Sequence, residues 1–245
     1  MKLSIIIPAF NEKENLKQGI LEMLEKYLLI QKFSCEVLIV DDGSDDGSGE
    51  IIEKFVSDKP RFKLIKNSHG GKAIAVMTGL LASKGEIGLF TDMDQATPIS
   101  EVEKLLPFFD QSFDIVIGSR KGRKGAPIIR KLMAIGFSVF RTIVLGLPFK
   151  DTQCGFKAFN RKSIEAIFPV LKERWKKHLL EKTAAVNAGF DVETLFLAKK
   201  MGFKIKEVPV EWHHVGTERV QVIKDSADAV LDILKIRLND YLNRY

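Results

Sequence analysis

Glu86–Pro98 reads EIGLFTDMDQATP, a short apolar run that stops abruptly on two carboxylates. Ile87, Leu89 and Phe90 suit a buried strand. Because strand side chains alternate faces, Asp92 and Asp94 would share one face with Met93 opposed to them. The acids would then stand roughly 6 to 7 Å apart along the chain. Ionised carboxylates that close repel each other unless a cation lies near, and oxygen ligands suit a hard divalent ion such as Mg²⁺ or Mn²⁺. A solvated turn after a strand has the same spelling, so the rest of the chain must choose.

Outward from this stretch, strand and helix patterns alternate. Lys2 to Ile7 reads as a buried strand closed by Pro8, and Leu16, Ile20, Met23, Leu24, Tyr27 and Leu28 recur at helical spacing. Cys35 to Val40 is a second strand, followed by the loop DDGSDDGSG and the helical Ile51 to Val56. Phe62 to Ile65 gives a third strand and Gly70 to Ala82 a helix; beyond the two acids come a helix near Glu101 to Phe109 and a strand from Phe113 to Gly118. This order predicts an α/β fold with a Rossmann-like, mostly parallel sheet, whose ligands gather at the carboxyl ends of the strands. After Ser119 come a basic loop, an apolar segment from Ile128 to Phe149, and DTQCGFKAFN as a turn and short strand. A helix over Ala184 to Met201, a strand over Phe203 to Val210 and a terminal helix with a stripe of Val230, Ile233, Leu234, Leu238 and Tyr241 complete the chain. No repeat or linker interrupts it. One domain over residues 1–245 is expected, its pattern dividing it into 1–118 and 119–245.

At 245 residues, 45% hydrophobic and 29% charged, the composition is that of a folded globular protein and excludes a disordered or low-complexity chain. Lys and Arg number 38 against 32 Asp and Glu, a net charge of +6 that favours anionic partners without choosing among phosphates, nucleic acid and an acidic membrane. Cys35 and Cys154 lack the spacing of a zinc site or a disulfide framework, which suits a reducing compartment. The chain opens on strand-like KLSIII rather than on a secretion signal, so a cytoplasmic location is expected.

Asp42 to Glu53 matches the calcium-loop offsets, but an EF-hand needs a preceding helix where Cys35 to Val40 is strand-like. A loop whose Asp41 and Asp42 accept hydrogen bonds from a base or ribose is the better reading, with a solvated Asp-Gly turn as the alternative. Gly70-Gly71-Lys72 lacks the Ser or Thr and the upstream Gly of a P-loop, yet a helix N-terminus with a lysine suits a phosphate. The basic tract Arg120, Lys121, Arg123, Lys124, Arg130 and Lys131 lacks interleaved aromatics, which argues against nucleic acid. The apolar segment behind it, with Arg141 near its middle, is either an interfacial helix or a core helix. His213 and His214 follow Trp212, and adjacent histidines on a strand cannot both serve one site; His69 and His178 read as surface or structural residues.

Together, IIIPAFNE (Ile5 to Glu12), IVDDGS (Ile39 to Ser44), GGKAIAVMTGL (Gly70 to Leu80), TDMD (Thr91 to Asp94), GSR (Gly118 to Arg120) and DTQCGFKAF (Asp151 to Phe159) resemble family-two glycosyltransferases. The likeness is to dolichyl-phosphate glucose and mannose synthases, and Asp151 to Phe159 leans toward the glucosyl branch. The resemblance implies a GT-A fold, a nucleotide-sugar donor (UDP-glucose or GDP-mannose), a divalent cation and inversion at the anomeric carbon. It implies a polyprenyl phosphate as acceptor and a peripheral position on the cytoplasmic membrane face, with no nucleic acid. Carried over residue by residue, Pro8, Phe10, Glu12, Asp41, Asp42, Lys72 and Met93 would surround the nucleotide sugar, and Asp92 and Asp94 would hold the metal. Arg120, Arg130, Gln153, Lys157 and Arg219 would meet acceptor or phosphate groups. The mannose synthases commonly carry a metal-binding Gln where this chain has Ala96, with Gln95 one position early; their membrane-spanning tail or leader is also not read here.

An acceptor phosphate with a second pKa near 6 is already largely ionised at neutral pH, so it needs cations rather than a strong base. A hydroxyl acceptor would need one, for which Asp191 or Glu193 in FDVET are the candidates. Both acceptors stay open on the sequence.

Overall fold

The structure, a computed structural model, describes the backbone of residues 2–120, 128–181, 189–213 and 222–245, and the side chains of 2–120, 136–175, 189–213 and 228–245. The first strand, β1 (Leu3–Ala9), shows how the sheet acquires two buried faces. Ile6 faces one hydrophobic cluster while Leu3, Ile5 and Ile7 face the other, as a period of two requires. The first helical segment is α1 (Lys13–Lys17) followed by α2 (Ile20–Leu29), where a single helix was expected from Leu16 to Leu28. The break falls at Gly19, whose φ of 77° is left-handed and ends the first turn of chain. Then come β2 (Cys35–Asp41), α3 (Ser48–Val56), β3 (Phe62–Lys66) and α4 (Lys72–Ala82).

The deciding stretch forms β4 (Ile87–Phe90). The helix expected near Glu101 to Phe109 is three short pieces: a 3-10 turn (Ile99–Glu101), α5 (Val102–Leu105) and α6 (Pro107–Asp110). Pro107 lacks the N–H that a continuous helix would need there. β5 (Ile115–Arg120), α7 (Ile128–Leu145), β6 (Lys157–Asn160), α8 (Arg161–Glu181), α9 (Gly189–Lys200), β7 (Ile205–Val210) and α10 (Val222–Tyr241) complete the described chain. Residues 184–188 of the helix expected from Ala184 lie outside it.

The seven strands lie in the order β3-β2-β1-β4-β6-β5-β7, and all run in one direction except β6. The carboxyl ends of six strands therefore share an edge, and the reversed β6 brings the 151–156 loop to that same edge. Helix α4 lies close on β1 and β2 because Gly79 has no side chain: a Cβ there would meet Val40 at 3.0 Å and overlap Ile6. That close seat sets Lys72, at the start of α4, over the strand ends.

Arg141, in the middle of α7, is 2% exposed. Its guanidinium donates to Thr152 Oγ1 at 3.0 Å, to Ser138 Oγ at 2.9 Å and to the Phe149 carbonyl, so it stitches α7 to the loop behind it. The central arginine of the apolar segment is thus internal, while Val139 and Ile143 of the same helix are exposed. On α10, Ala229, Ile233 and Ile236 are buried, but Val230, Leu234, Leu238 and Tyr241 of the expected stripe face outward. No described helix is long and apolar enough to cross a membrane.

Candidate active site

β4 ends at Phe90, so Asp92 and Asp94 sit in a turn beyond the strand rather than on its alternating faces. Met93 anchors that turn, its side chain 2% exposed within the core. Asp94 accepts a hydrogen bond from the Ala96 N–H at 3.0 Å. Burial pushes the Asp94 carboxyl above the ordinary carboxylate range, and the neighbouring charge of Asp92 adds to this, against the Ala96 bond and Lys72. Asp92 Oδ1 meets Lys72 Nζ at 2.5 Å. Its other oxygen lies against Gly155, where any Cβ would overlap it. Burial lowers the Lys72 ammonium, but Asp92, Asp191 and Asp94 together more than offset this and hold it above the ordinary lysine value.

On the β1–β2 side, the expected nucleotide residues are largely occupied in building the walls. Pro8 is buried in β1. Asp41 accepts from Ser44 Oγ at 2.6 Å. Asp42, 1% exposed, accepts from the N–H groups of Gly70 and Gly71 at 3.1 and 2.7 Å and pairs with His69 Nδ1 at 3.0 Å. The N–H groups of Gly70 and Gly71, at the helix N-terminus that the sequence offers to a phosphate, are turned to Asp42. Burial raises the Asp42 carboxyl despite those donors. Phe10 stacks on His69, with ring centroids 4.2 Å apart, and keeps 37% of its surface exposed. His69, which the sequence reads as a surface or structural residue, supports the exposed aromatic. Glu12 carries its N–H to Ser48 Oγ at 2.9 Å, at the mouth of the same loop. The calcium-loop spelling does not make a calcium loop: Asp42 turns to α4, Asp45 bonds Asn11 and Asp46 caps Ser48.

Across the edge, Asp191 stands in the first turn of α9, and Lys157 Nζ donates to it at 2.6 Å. Lys157 is fully buried, bonds the Cys154 carbonyl at 2.5 Å and lies 5.3 Å from the centre of the Phe90 ring. Its ammonium is thus taken up by Asp191 and the Cys154 carbonyl. Glu193 faces elsewhere: Trp175 Nε1 donates to it at 2.7 Å, Tyr245 Oη at 2.8 Å, and Arg174 pairs with it at 2.7 Å. Arg120 forms a two-pronged pair with Asp151, at 2.6 and 2.8 Å, beneath the Trp212 ring. Burial raises the Asp151 carboxyl, but the bonds and charge of Arg120 overcome this and hold it below the ordinary range. The Gln153 N–H is tied to the same carboxylate at 3.2 Å. Asp151, the first residue of DTQCGFKAF, carries no local signal that it partners Arg120, 31 residues away. Residues 121–124, Arg219 and His214, and the side chain of Arg130, lie outside the described residues.

The donor set fits a hard divalent cation. Two carboxylates in one turn repel each other across a single lysine, and Gln95 Oε1, 7% exposed in the same turn, has no hydrogen-bond partner among the described residues. No group of three His, Cys, Asp or Glu among the described residues forms a complete cage.

A family model described as glycosyl transferase family 2 matches residues 4–168. The chain belongs to that family. Its relatives match this family-two transferase along nearly its whole length. Dolichyl-phosphate beta-glucosyltransferase of Dictyostelium discoideum is 33% identical, over 96% of this chain and 73% of its own. The protein of the same name in Saccharomyces cerevisiae is 33% identical over 99% and 76%, and that of Homo sapiens 32% over 97% and 75%. Among solved structures, the Mycobacterium tuberculosis glucosyl-3-phosphoglycerate synthase with Mn²⁺ and UDP superposes with a TM-score of 0.64 at 17% identity, covering 96% of this chain and 79% of that one. A mannosyltransferase from Pyrobaculum calidifontis with GDP-Man and Mn²⁺ gives 0.57 at 20% identity, over 89% and 58%. These neighbours share the GT-A fold expected from the motifs.

Proposed function

We propose that this family-two transferase moves glucose from a nucleoside diphosphate sugar to a dolichyl or other polyprenyl phosphate, with inversion at the anomeric carbon. The observation that carries the reading is the acid pair Asp92–Asp94 beside Lys72, at the carboxyl edge of a chain whose relatives share that activity in their names over nearly its full length.

Asp92 and Asp94 would hold a divalent cation, Mg²⁺ or Mn²⁺, which supplies charge neutralisation for a departing diphosphate when bound. Phe10, stacked on His69, offers an exposed aromatic face beside the Asp41–Asp42 wall, suited to the flat base of the nucleotide. Lys157 fixes the Asp191 carboxylate at the start of α9. The acceptor oxygen of a phosphate arrives ionised and needs no proton taken from it. This favours a phosphate over a hydroxyl acceptor, because Glu193, one of the two candidate bases, is closed off by Trp175, Arg174 and Tyr245. Asp191, the other, is held in an ion pair.

A lipid acceptor places the protein at a membrane surface. Val139 and Ile143 on α7, with Val230, Leu234, Leu238 and Tyr241 on α10, offer exposed apolar side chains for a peripheral contact. Two buried, unpaired thiols suit the reducing cytoplasmic side.

The test is a transfer assay with UDP-glucose and GDP-mannose, each against a polyprenyl phosphate and a free polyprenol, with and without EDTA. Glucose should pass to the phosphate alone, in an EDTA-sensitive reaction giving an acid-labile lipid product. Transfer to the alcohol but not to the phosphate would refute the assignment of acceptor.

A further inference from the structure

We propose that Lys72 is the resident counter-ion of Asp92 and yields that carboxylate to the divalent cation only when the donor diphosphate arrives, so that metal and nucleotide enter together. The inference rests on the reading of Asp92 and Asp94 as the metal pair and adds the order in which the pair is filled. Lys72 Nζ lies 2.5 Å from Asp92 Oδ1, and the charges of Asp94 and Asp191 act on the same ammonium, although Asp191 is itself paired with Lys157. A metal approaching Asp92 must displace that ammonium and would otherwise stand against a like charge a few ångströms away.

Asp92 has little freedom to turn aside, because its other oxygen is packed on Gly155 with no room for even a Cβ between them. The movable partner is the lysine. Its backbone is fixed at the start of α4, behind Gly71, whose φ is 84° and whose N–H is bonded to Asp42 at 2.7 Å. Its side chain, however, is a flexible four-carbon stem with 36% of its surface exposed. Without nucleotide, releasing Asp92 gives up the 2.5 Å contact of the ammonium. A diphosphate supplies one, and the displaced Lys72 gains a charge-assisted contact while the metal takes its place.

Mn²⁺ binding, followed by the EPR signal of the free ion, tests this on the full chain with and without UDP. Wild type should bind Mn²⁺ alone weakly and more tightly with UDP. Lys72→Met should bind Mn²⁺ alone about fivefold more tightly, the upper range for a half-exposed ion pair, and should lose much of the tightening by UDP. Lys72→Gln, which keeps a polar chain without the charge, should behave likewise, and Lys72→Arg should resemble wild type. Unchanged or weaker binding of Mn²⁺ alone by both neutral variants, with UDP-dependent binding intact in wild type, overturns the exchange and leaves the metal pair standing. Absence of Mn²⁺ binding by wild type even with UDP removes the metal pair and the exchange with it.

Discussion

Replacing Lys157 by Met should show how much the placing of Asp191 depends on one buried cation. Lys157 Nζ has no exposed surface and makes two bonds, to Asp191 at 2.6 Å and to the Cys154 carbonyl at 2.5 Å, above the Phe90 ring. Met fills a similar volume, so little cavity term is added, and the loss is that of the charge and its bonds. Breaking a buried pair costs about 3 to 5 kcal/mol, because the remaining carboxylate is left unpaired. Asp191 keeps 15% of its side chain exposed and can draw in water, which puts the expected cost at about 3 kcal/mol, near the lower end. For a chain of this length that is a fall in Tm of roughly 6 to 12 °C. Chemical denaturation of Lys157→Met, Asp191→Leu and the double variant gives the coupling. Removing both partners should be less damaging than the sum of the single changes by at least about 1.5 kcal/mol. A loss below about 1 kcal/mol for Lys157→Met, the worth of an exposed pair, would refute the claim that this lysine holds Asp191 in place.

Gly155→Ala should abolish sugar transfer while leaving the far-UV circular dichroism of the chain unchanged, since its Cβ overlaps Asp92 and must push that carboxylate off Lys72. Activity within twofold of wild type would remove the packing argument. Asp94→Asn should likewise end EDTA-sensitive turnover, yet raise Tm at neutral pH. Burial and Asp92 hold the Asp94 carboxyl above its unfolded value, so its contribution to stability is complete below about pH 3.9 and is lost as pH rises through the folded pKa. The gain in Tm should therefore vanish near and below pH 4, and a lower Tm at pH 7 would contradict it.

The sheet was legible because its signal is local. Ile5, Ile7, Leu89 and Val37 alternate with Ile6, Phe90 and Val40 in filling the two faces, and β-branched runs bounded by Pro8, Gly43 and the Asp-x-Asp turn have few other readings. Helix continuity was not legible. Leu16 to Leu28 keeps helical spacing across Gly19, and only the left-handed φ of 77° at that residue shows that the chain changes direction there. The α10 stripe failed for a related reason. Periodicity locates an apolar face but not the neighbour that covers it, and the covered face is that of Ile233 and Ile236 rather than of Leu234 and Leu238.

At the site, residue types were easier to read than their allegiances. Asp42, Lys72, Asp92, Arg120 and Lys157 are each a charged group at a strand end, but whether a charge meets a ligand or a neighbour depends on contacts between residues far apart in sequence. Arg120 finds Asp151, 31 residues on, and Asp42 finds Gly70 and Gly71, 28 and 29 residues on. The pair Asp191 and Glu193 is the informative exception. Two positions apart on a helix, side chains point to opposite sides, so once FDVET is helical the two acids cannot both serve one opening. Glu193 is buried under three donors and Asp191 is tied to Lys157. Because that lysine stands on the one strand that runs against the others, directly beside Phe90, the reversal of β6 is what carries a cation to the edge where the acids collect. A parallel strand in its place would present its first residue at the opposite edge of the sheet, and Asp191 would have no partner there.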